Sequence, residues 1–115
     1  DRTLQTEARL RKVLDDERRQ RVLASIYVMR ADVQPQVTEA AIAAWKSLVS
    51  NTPKTLNEVV PTMLAVVVSN LSTGSEERRV MAGRTLAALV RKLGDRVLPQ
   101  LLMSVRSQMN EGSAA

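Results

Sequence analysis

The chain contains no cysteine and no histidine, and its only aromatic residues are Tyr27 and Trp45. The two absences exclude disulfide bonds, thiolate nucleophiles, zinc sites built on these ligands and histidine acid–base catalysis. No uninterrupted apolar run exceeds six residues, as in Met63 to Val68, whereas a membrane span needs roughly 18 or more. Most catalytic chemistry and membrane insertion are therefore not expected.

The remaining polar residues give no sign of a catalytic or cofactor site. The serines have no histidine to activate them, and the four glycines form no phosphate-binding loop. The carboxylates cluster at predicted helix starts, where capping explains them. We therefore expect a non-enzymatic protein with no cofactor, no metal and no small-molecule substrate.

Charge and apolar content indicate a packed domain that attracts polyanions. The chain has 17 basic and 12 acidic residues, which gives a net charge of +5, and 44% of its residues are hydrophobic. A positive net charge favours association with polyanions but does not identify one. Because aromatic residues are scarce, alanine, valine and leucine must form the core, which suits closely stacked helices.

An apolar pattern occurs twice with a fixed separation. Ala82, Leu86, Leu89 and Val90 lie on one face of a predicted helix, and each has an apolar counterpart 41 positions earlier, at Ala41, Trp45, Leu48 and Val49. Helix pairs repeated every 40 to 47 residues or so are typical of HEAT and armadillo arrays. The sequence therefore predicts an all-α HEAT-repeat solenoid. Its 115 residues accommodate about two and a half repeats, so we expect a fragment.

The apolar spacing predicts five helices after a weakly patterned start. Residues 1–14 are interpreted as a weak helix or linker, and the helices cover 17–30, 35–51, 55–71, 75–93 and 95–109. The helices group into a first HEAT repeat at 15–51 and a second HEAT repeat at 52–94. Residues 95–115 form the first helix of a third repeat with a flexible tail.

Local signals define the ends of several helices. Thr55 with Glu58 three positions later predicts a capping box, and Ser75 is a predicted N-cap. Gly94 is expected to end a helix in the left-handed conformation. Pro61 and Pro99 lie inside predicted helices, where each should bend the axis or delay the helix start.

The predicted buried faces follow the helical period. The helix 55–71 is apolar nearly all round, so it should be buried on two sides as the inner helix of a stack. The residues expected to face inward on the first helix are Val22, Leu23, Ile26 and Tyr27. On the third helix they are Leu56, Val59, Val60, Met63, Leu64, Val67 and Leu71. On the last helix they are Val97, Leu98, Leu101, Leu102, Val105 and Met109. Trp45 is expected to be a core residue rather than a ligand-stacking group.

Basic residues of the fourth helix form the candidate binding site. Arg84 and Arg91 lie two turns apart on one side, where together they could contact a phosphate backbone. The full candidate set is Arg78, Arg79, Arg84, Arg91, Lys92 and Arg96. The alternative is an ordinary solvated face, on which Arg78 or Arg79 pairs with an acidic turn residue of a neighbouring repeat.

A second basic group, Arg18, Arg19 and Arg21, is interleaved with Asp15, Asp16 and Glu17. Opposite charges at helical spacing favour local ion pairs over a binding patch. We therefore interpret this group as structural.

Three strings carry a more specific resemblance: ERRQRVLASIYVMRADVQ, WKSLVSNTPKTL and GRTLAALVRKLG. Over roughly residues 17–103 the chain resembles the large HEAT-repeat translational activator called general control non-derepressible one. The resemblance implies a cytoplasmic scaffold that associates with ribosomes and works with an ABC-type ATPase partner. It also implies a role in activating the kinase that phosphorylates the alpha subunit of initiation factor two during amino-acid starvation.

A second function class remains open. A HEAT adaptor of the transport-receptor or phosphatase-scaffold type would bind only proteins and make no nucleic-acid contact. Salt dependence separates the two classes, because phosphate binding weakens steeply with ionic strength whereas an apolar protein groove does not.

Overall fold

The computed structural model describes residues 2–114, and it describes side chains for residues 2–110. Within these bounds the secondary structure consists of six α-helices and one short 3₁₀ segment, with no strand. The helices are α1 Arg2–Val13, α2 Asp16–Met29, α3 Pro35–Leu48, α4 Thr52–Leu71, α5 Glu76–Leu93 and α6 Val97–Ala114, with the 3₁₀ segment at Gly94–Arg96. The predicted all-α, HEAT-like fold is confirmed.

Side-chain caps begin three of the helices. The carboxylate of Asp15 accepts a hydrogen bond from the backbone N–H of Arg18 at 2.8 Å, and this fixes the start of α2. Ser75 Oγ accepts from the N–H of Arg78 at 3.3 Å, so the predicted cap of α5 is confirmed. Each bond satisfies a donor that the first helical turn leaves without a partner.

The predicted capping box of α4 is wrong. The N-cap is Asn51, whose side-chain oxygen accepts from the N–H of Lys54 at 3.1 Å, and the helix begins at Thr52. Pro53 fits this first turn because its missing N–H would have no helical partner there. Thr55 lies inside the helix, where its N–H donates to the carbonyl of Asn51 at 3.0 Å. Helix α3 ends at Leu48 rather than at residue 51, because the backbone becomes extended at Val49.

Gly94 ends α5 in a conformation different from the predicted one. Its φ of 68° is positive, as expected, but its ψ of −150° lies outside the left-handed helical region. This combination is open essentially to glycine alone. It leads into the 3₁₀ segment that joins α5 to α6, so α6 begins at Val97 rather than at Asp95 and continues to Ala114.

The helices form two layers with α4 at the centre. In one layer α4 packs between α2 and α6, and in the other α1 packs against α3. The pairs α2–α3 and α4–α5 join the layers. The prediction that α4 is an inner helix is confirmed, since Val59, Met63, Leu64 and Val67 have no exposed surface. The second layer has a gap, because no Cα atom of α3 lies within 8 Å of α5 along their whole described lengths.

Some predicted core residues are exposed. Helix α6 contacts the core through Val97, with Leu101 partly buried against it, so apolar residues on its other sides remain open to solvent. The same applies to residues at the edges of the buried stripes of α2 and α4. The residues concerned are Val22, Leu71, Leu98, Leu102 and Met109. Trp45 is a core residue as predicted, with 4% of its surface exposed.

Helix α1 is held to the end of α3 by polar contacts. The carboxylate of Glu7 accepts hydrogen bonds from Ser50 Oγ at 2.7 Å and from the Ser50 backbone N–H at 3.2 Å. Thr3 Oγ1 donates to the carbonyl of Lys46 at 3.4 Å. The weakly patterned segment 1–14 therefore contains a docked helix from Arg2 to Val13.

Candidate functional site

The six basic residues of the candidate set occupy separate parts of the surface. Arg84 and Arg91 are exposed, and they lie on the side of α5 opposite its buried face of Ala82, Leu89 and Leu93. The other four diverge from this side: Arg78 and Arg79 at the start of α5, Lys92 towards α2, and Arg96 in the 3₁₀ segment. They do not form one continuous cluster.

The cations of α5 have no acidic partner in the part of the chain whose side chains are described. Ion pairs there involve only residues of α1, α2 and Glu58. The predicted alternative pairing of Arg78 or Arg79 with an acidic residue is therefore not found among these residues. The Arg79 guanidinium instead donates to the backbone carbonyl of Thr73 at 2.9 Å.

A pocket of about 240 Å³ occupies the gap between α3 and α5, above the end of α2. The ring of Tyr27 lies in its wall, in edge contact with Trp45 at a centroid distance of 5.1 Å. Two cations approach the same ring, with the Arg30 Cζ 4.8 Å and the Lys92 Nζ 5.6 Å from its centroid. Such distances are within the range of cation–π attraction.

Arg84 joins Arg30 and Lys92 in the pocket lining. We call these three residues the pocket cations. Two buried polar atoms of the lining residues, Arg30 Nε and Thr85 Oγ1, have no hydrogen-bond partner among the described atoms. Converging positive charge and unsatisfied polar atoms together favour an anionic ligand.

Arg84 and Lys92 were predicted from the sequence, whereas Arg30 and the role of Tyr27 were not. Tyr27 and Arg30 are three positions apart and therefore neighbours on one helix face, which was the available local signal. The approach of Lys92 to the same ring depends on how α5 packs against α2. No local pattern in the sequence carries that information.

The second basic group divides between local pairs and one buried contact. The predicted local pairs are confirmed for Arg18 with Asp15 at 3.7 Å and for Arg21 with Glu17 at 3.5 Å. Arg19 also forms a local pair with Asp16 at 3.9 Å, but its side chain is only 3% exposed and forms a second ion pair with Glu58 of α4. Arg19 therefore links two neighbouring helices of the first layer.

The described residues contain neither a metal-binding cluster nor a membrane-spanning helix. No group of acidic, histidine or cysteine side chains there is arranged to hold a metal ion. None of the described helices combines the length and hydropathy needed to cross a bilayer. An open groove of about 580 Å³ between α2 and α4 is lined in part by the Glu17–Arg21 pair, so its charges are already matched.

Stacked helix pairs around an inner helix define a HEAT-like solenoid segment. Comparison with known proteins identifies the family within this class. Over 100 residues the chain is 46% identical to protein ILITYHIA of Arabidopsis thaliana, and the match covers 84% of the chain. It is 42% identical over 100 residues to the stalled ribosome sensor GCN1 of Homo sapiens, covering 87% of the chain. It is 39% identical over 106 residues to the eIF-2-alpha kinase activator GCN1 of Dictyostelium discoideum, covering 89%.

The chain belongs to the GCN1 family, and the resemblance drawn from its sequence is confirmed. It spans about 4% of the length of each of these relatives. No protein-family model matches the chain. No solved structure matches it either.

Proposed function

We propose that this chain is a scaffold segment of a ribosome-associated translational activator. In this role it contributes to activation of the initiation factor two alpha kinase in the amino-acid starvation response. The names of the Dictyostelium and human relatives, a kinase activator and a stalled ribosome sensor, carry this proposal. Because the chain spans about 4% of their length, kinase activation belongs to the whole protein, and this segment supplies shape and a contact surface.

The proposed role is non-enzymatic and cytoplasmic, and it needs no cofactor. The ribosome and the kinase are the proposed partners of the whole protein, together with the ABC-type ATPase that the family resemblance implies. Support for a non-catalytic role comes from the relatives' names, which describe an activator and a sensor.

The contact proposed for this segment is electrostatic and lies on α5. Arg84 and Arg91 are exposed on one side of the helix and have no acidic partner among the described side chains. Unpaired arginines on a rigid helix suit the phosphate backbone of ribosomal RNA or an acidic protein surface, without sequence specificity. Arg78, Arg79, Lys92 and Arg96 add positive charge at separate positions around this side.

Co-sedimentation with purified ribosomes over a salt series tests the proposal. The variant reverses three charges, Arg84→Glu, Arg91→Glu and Lys92→Glu. The control also reverses three exposed charges, but on α1 and α6, as Arg9→Glu, Lys12→Glu and Arg106→Glu. Both variants have the same net charge, so only the position of the charges differs.

We expect the α5 variant to lose binding and the control to keep it. For the native chain, the logarithmic salt slope should be about 0.7 to 0.9 per phosphate contact. Equal binding by the native chain and the α5 variant would refute the α5 contact. Binding that is insensitive to salt would instead favour the protein-only adaptor.

A further inference from the structure

We propose that the pocket between α2, α3 and α5 is a receptor for one acidic side chain, aspartate or glutamate, of a partner polypeptide. The inference goes beyond the ribosome proposal and does not depend on it. Its basis is the chemistry of the pocket lining: three cations, two buried polar atoms without partners, and apolar walls.

The pocket concentrates positive charge that the described part of the chain does not neutralise. Arg30 comes from the end of α2, whereas Arg84 and Lys92 come from α5. None of the three has a carboxylate within 4.0 Å among the described side chains. Like charges held close together repel one another. A bound anion offsets this repulsion because it attracts each of the cations.

Two buried polar atoms of the lining residues favour a ligand that enters the pocket over one that rests on its rim. Thr85 is 2% exposed, and its Oγ1 is fully buried with no hydrogen-bond partner. The buried Nε of Arg30 also lacks a partner. Buried polar groups are normally hydrogen-bonded. A carboxylate offers two acceptor oxygens, enough to accept from both a hydroxyl and a guanidinium N–H.

The walls favour an amino-acid side chain over a nucleotide. Ala31, Ile42 and Ala88 line the pocket with apolar surface that suits the methylene stem of an acidic residue. Single-stranded RNA binding depends on bases that stack on exposed aromatic rings. Tyr27 is 4% exposed and has Trp45 at its edge and two cations close to its ring, so it offers no stacking platform.

The test is a methyl NMR titration of the 115-residue chain with a short end-blocked oligo-glutamate peptide. Ile42, Thr85 and Ala88 report directly on the pocket. Matching titrations use oligo-glutamine, which is neutral, and oligouridylate, which carries phosphates. We expect saturable shifts of the three methyl signals with oligo-glutamate and none with the other two ligands.

Three variants test the pocket, and the first two separate it from the general basic surface. Lys92→Met removes a pocket cation and should weaken oligo-glutamate binding roughly tenfold, whereas Arg91→Met removes the adjacent exposed cation outside the pocket and should change it less than about twofold. Thr85→Val keeps the side-chain shape. The substitution should weaken oligo-glutamate binding. It should also raise the Tm of the chain by roughly 4 °C, because it removes an unsatisfied buried hydroxyl.

Three outcomes would overturn the inference. The first is oligo-glutamate binding that leaves the pocket methyl signals unshifted, and the second is equal weakening by Lys92→Met and Arg91→Met. The third is a response of the pocket to oligouridylate that matches or exceeds its response to oligo-glutamate, which would assign it to phosphate. Ribosome binding is tested apart from the pocket by co-sedimentation of the single variant Arg91→Met, because Arg91 does not line the pocket, whereas Arg84 and Lys92 belong to both regions.

Discussion

The Arg19–Glu58 pair should make a large contribution to stability, and Glu58→Gln tests it. Arg19 is 3% exposed and Glu58 is 30% exposed, so the pair lies largely out of water between α2 and α4. The substitution keeps the size of the side chain and one acceptor oxygen but removes the charge that compensates the buried guanidinium. Arg19 Nε already lacks a hydrogen-bond partner, so little else offsets the loss.

The magnitude follows from burial and from the remaining partners. Removing one member of a fully buried pair costs about 3 to 5 kcal/mol. Two features reduce this value: Glu58 is partly solvated, and Asp16 stays 3.9 Å from the Arg19 guanidinium. We therefore expect Glu58→Gln to lower the free energy of unfolding by about 2 kcal/mol.

Urea unfolding followed by far-UV circular dichroism measures this effect. Glu17→Gln is the matched control, since the Glu17–Arg21 pair is exposed on both sides and should be worth less than about 0.5 kcal/mol. Arg19→Met should cost less than Glu58→Gln, because Glu58 retains Arg11 at 3.7 Å and contact with water. Equal costs for Glu58→Gln and Glu17→Gln would refute the reasoning.

Three further predictions concern the backbone, a side-chain hydrogen bond and the core. Gly94→Ala should destabilise the chain by about 1 to 3 kcal/mol, because the φ of Gly94 is 68°. Gly83→Ala, in the exposed middle of α5, should instead stabilise the chain by about 0.5 to 1 kcal/mol. Thermal unfolding compares the two variants. Thr52→Val removes the acceptor 3.0 Å from the buried indole N–H and should cost about 1 kcal/mol in urea unfolding, and no loss would contradict that bond. Leu64→Ala should cost about 3 kcal/mol and Leu102→Ala less than about 1 kcal/mol in the same assay, since only the first is buried, and similar costs would contradict the assigned core.

The parts of the fold that depend on local periodicity were predictable from the sequence. The strong apolar pattern of α4 identified the inner helix, and the acidic start after Ser75 placed the beginning of α5 within one residue. The start of α4 was misplaced because Asn51 and Thr55 are both acceptable caps in sequence. Pro53 was the local signal that distinguishes them, because proline is favoured in the first turn of a helix and therefore supports the start after Asn51.

The candidate site was predictable only in part. Arg84 and Arg91 share a face through helical spacing alone, so their common side followed from the sequence. The pocket requires Lys92 of α5 and Arg30 of α2 to meet over one ring. Likewise, Arg19 resembles its neighbours in composition and differs only because α2 packs against α4 at that position. These features arise from tertiary packing, which brings together residues distant in sequence.

The proposed function links the fold to the surface of α5. A stack with an inner helix holds α5 rigidly, so its exposed arginines keep a fixed spacing, and rigid elements position a contact surface better than loops do. The gap between α3 and α5 adds a pocket beside that surface. One helix thus carries an exposed basic side and a pocket wall, and Arg84 belongs to both.

The central claim is that α5 contributes to ribosome association in a GCN1-family protein. The most direct test replaces the matching 100 residues of the human stalled ribosome sensor with this chain and measures co-sedimentation with ribosomes from amino-acid-starved cells. We predict that the human protein carrying the native chain co-sediments with ribosomes. The variant with Arg84→Glu, Arg91→Glu and Lys92→Glu should co-sediment in a smaller amount than the charge-matched control on α1 and α6. Equal sedimentation of both variants would contradict the claim.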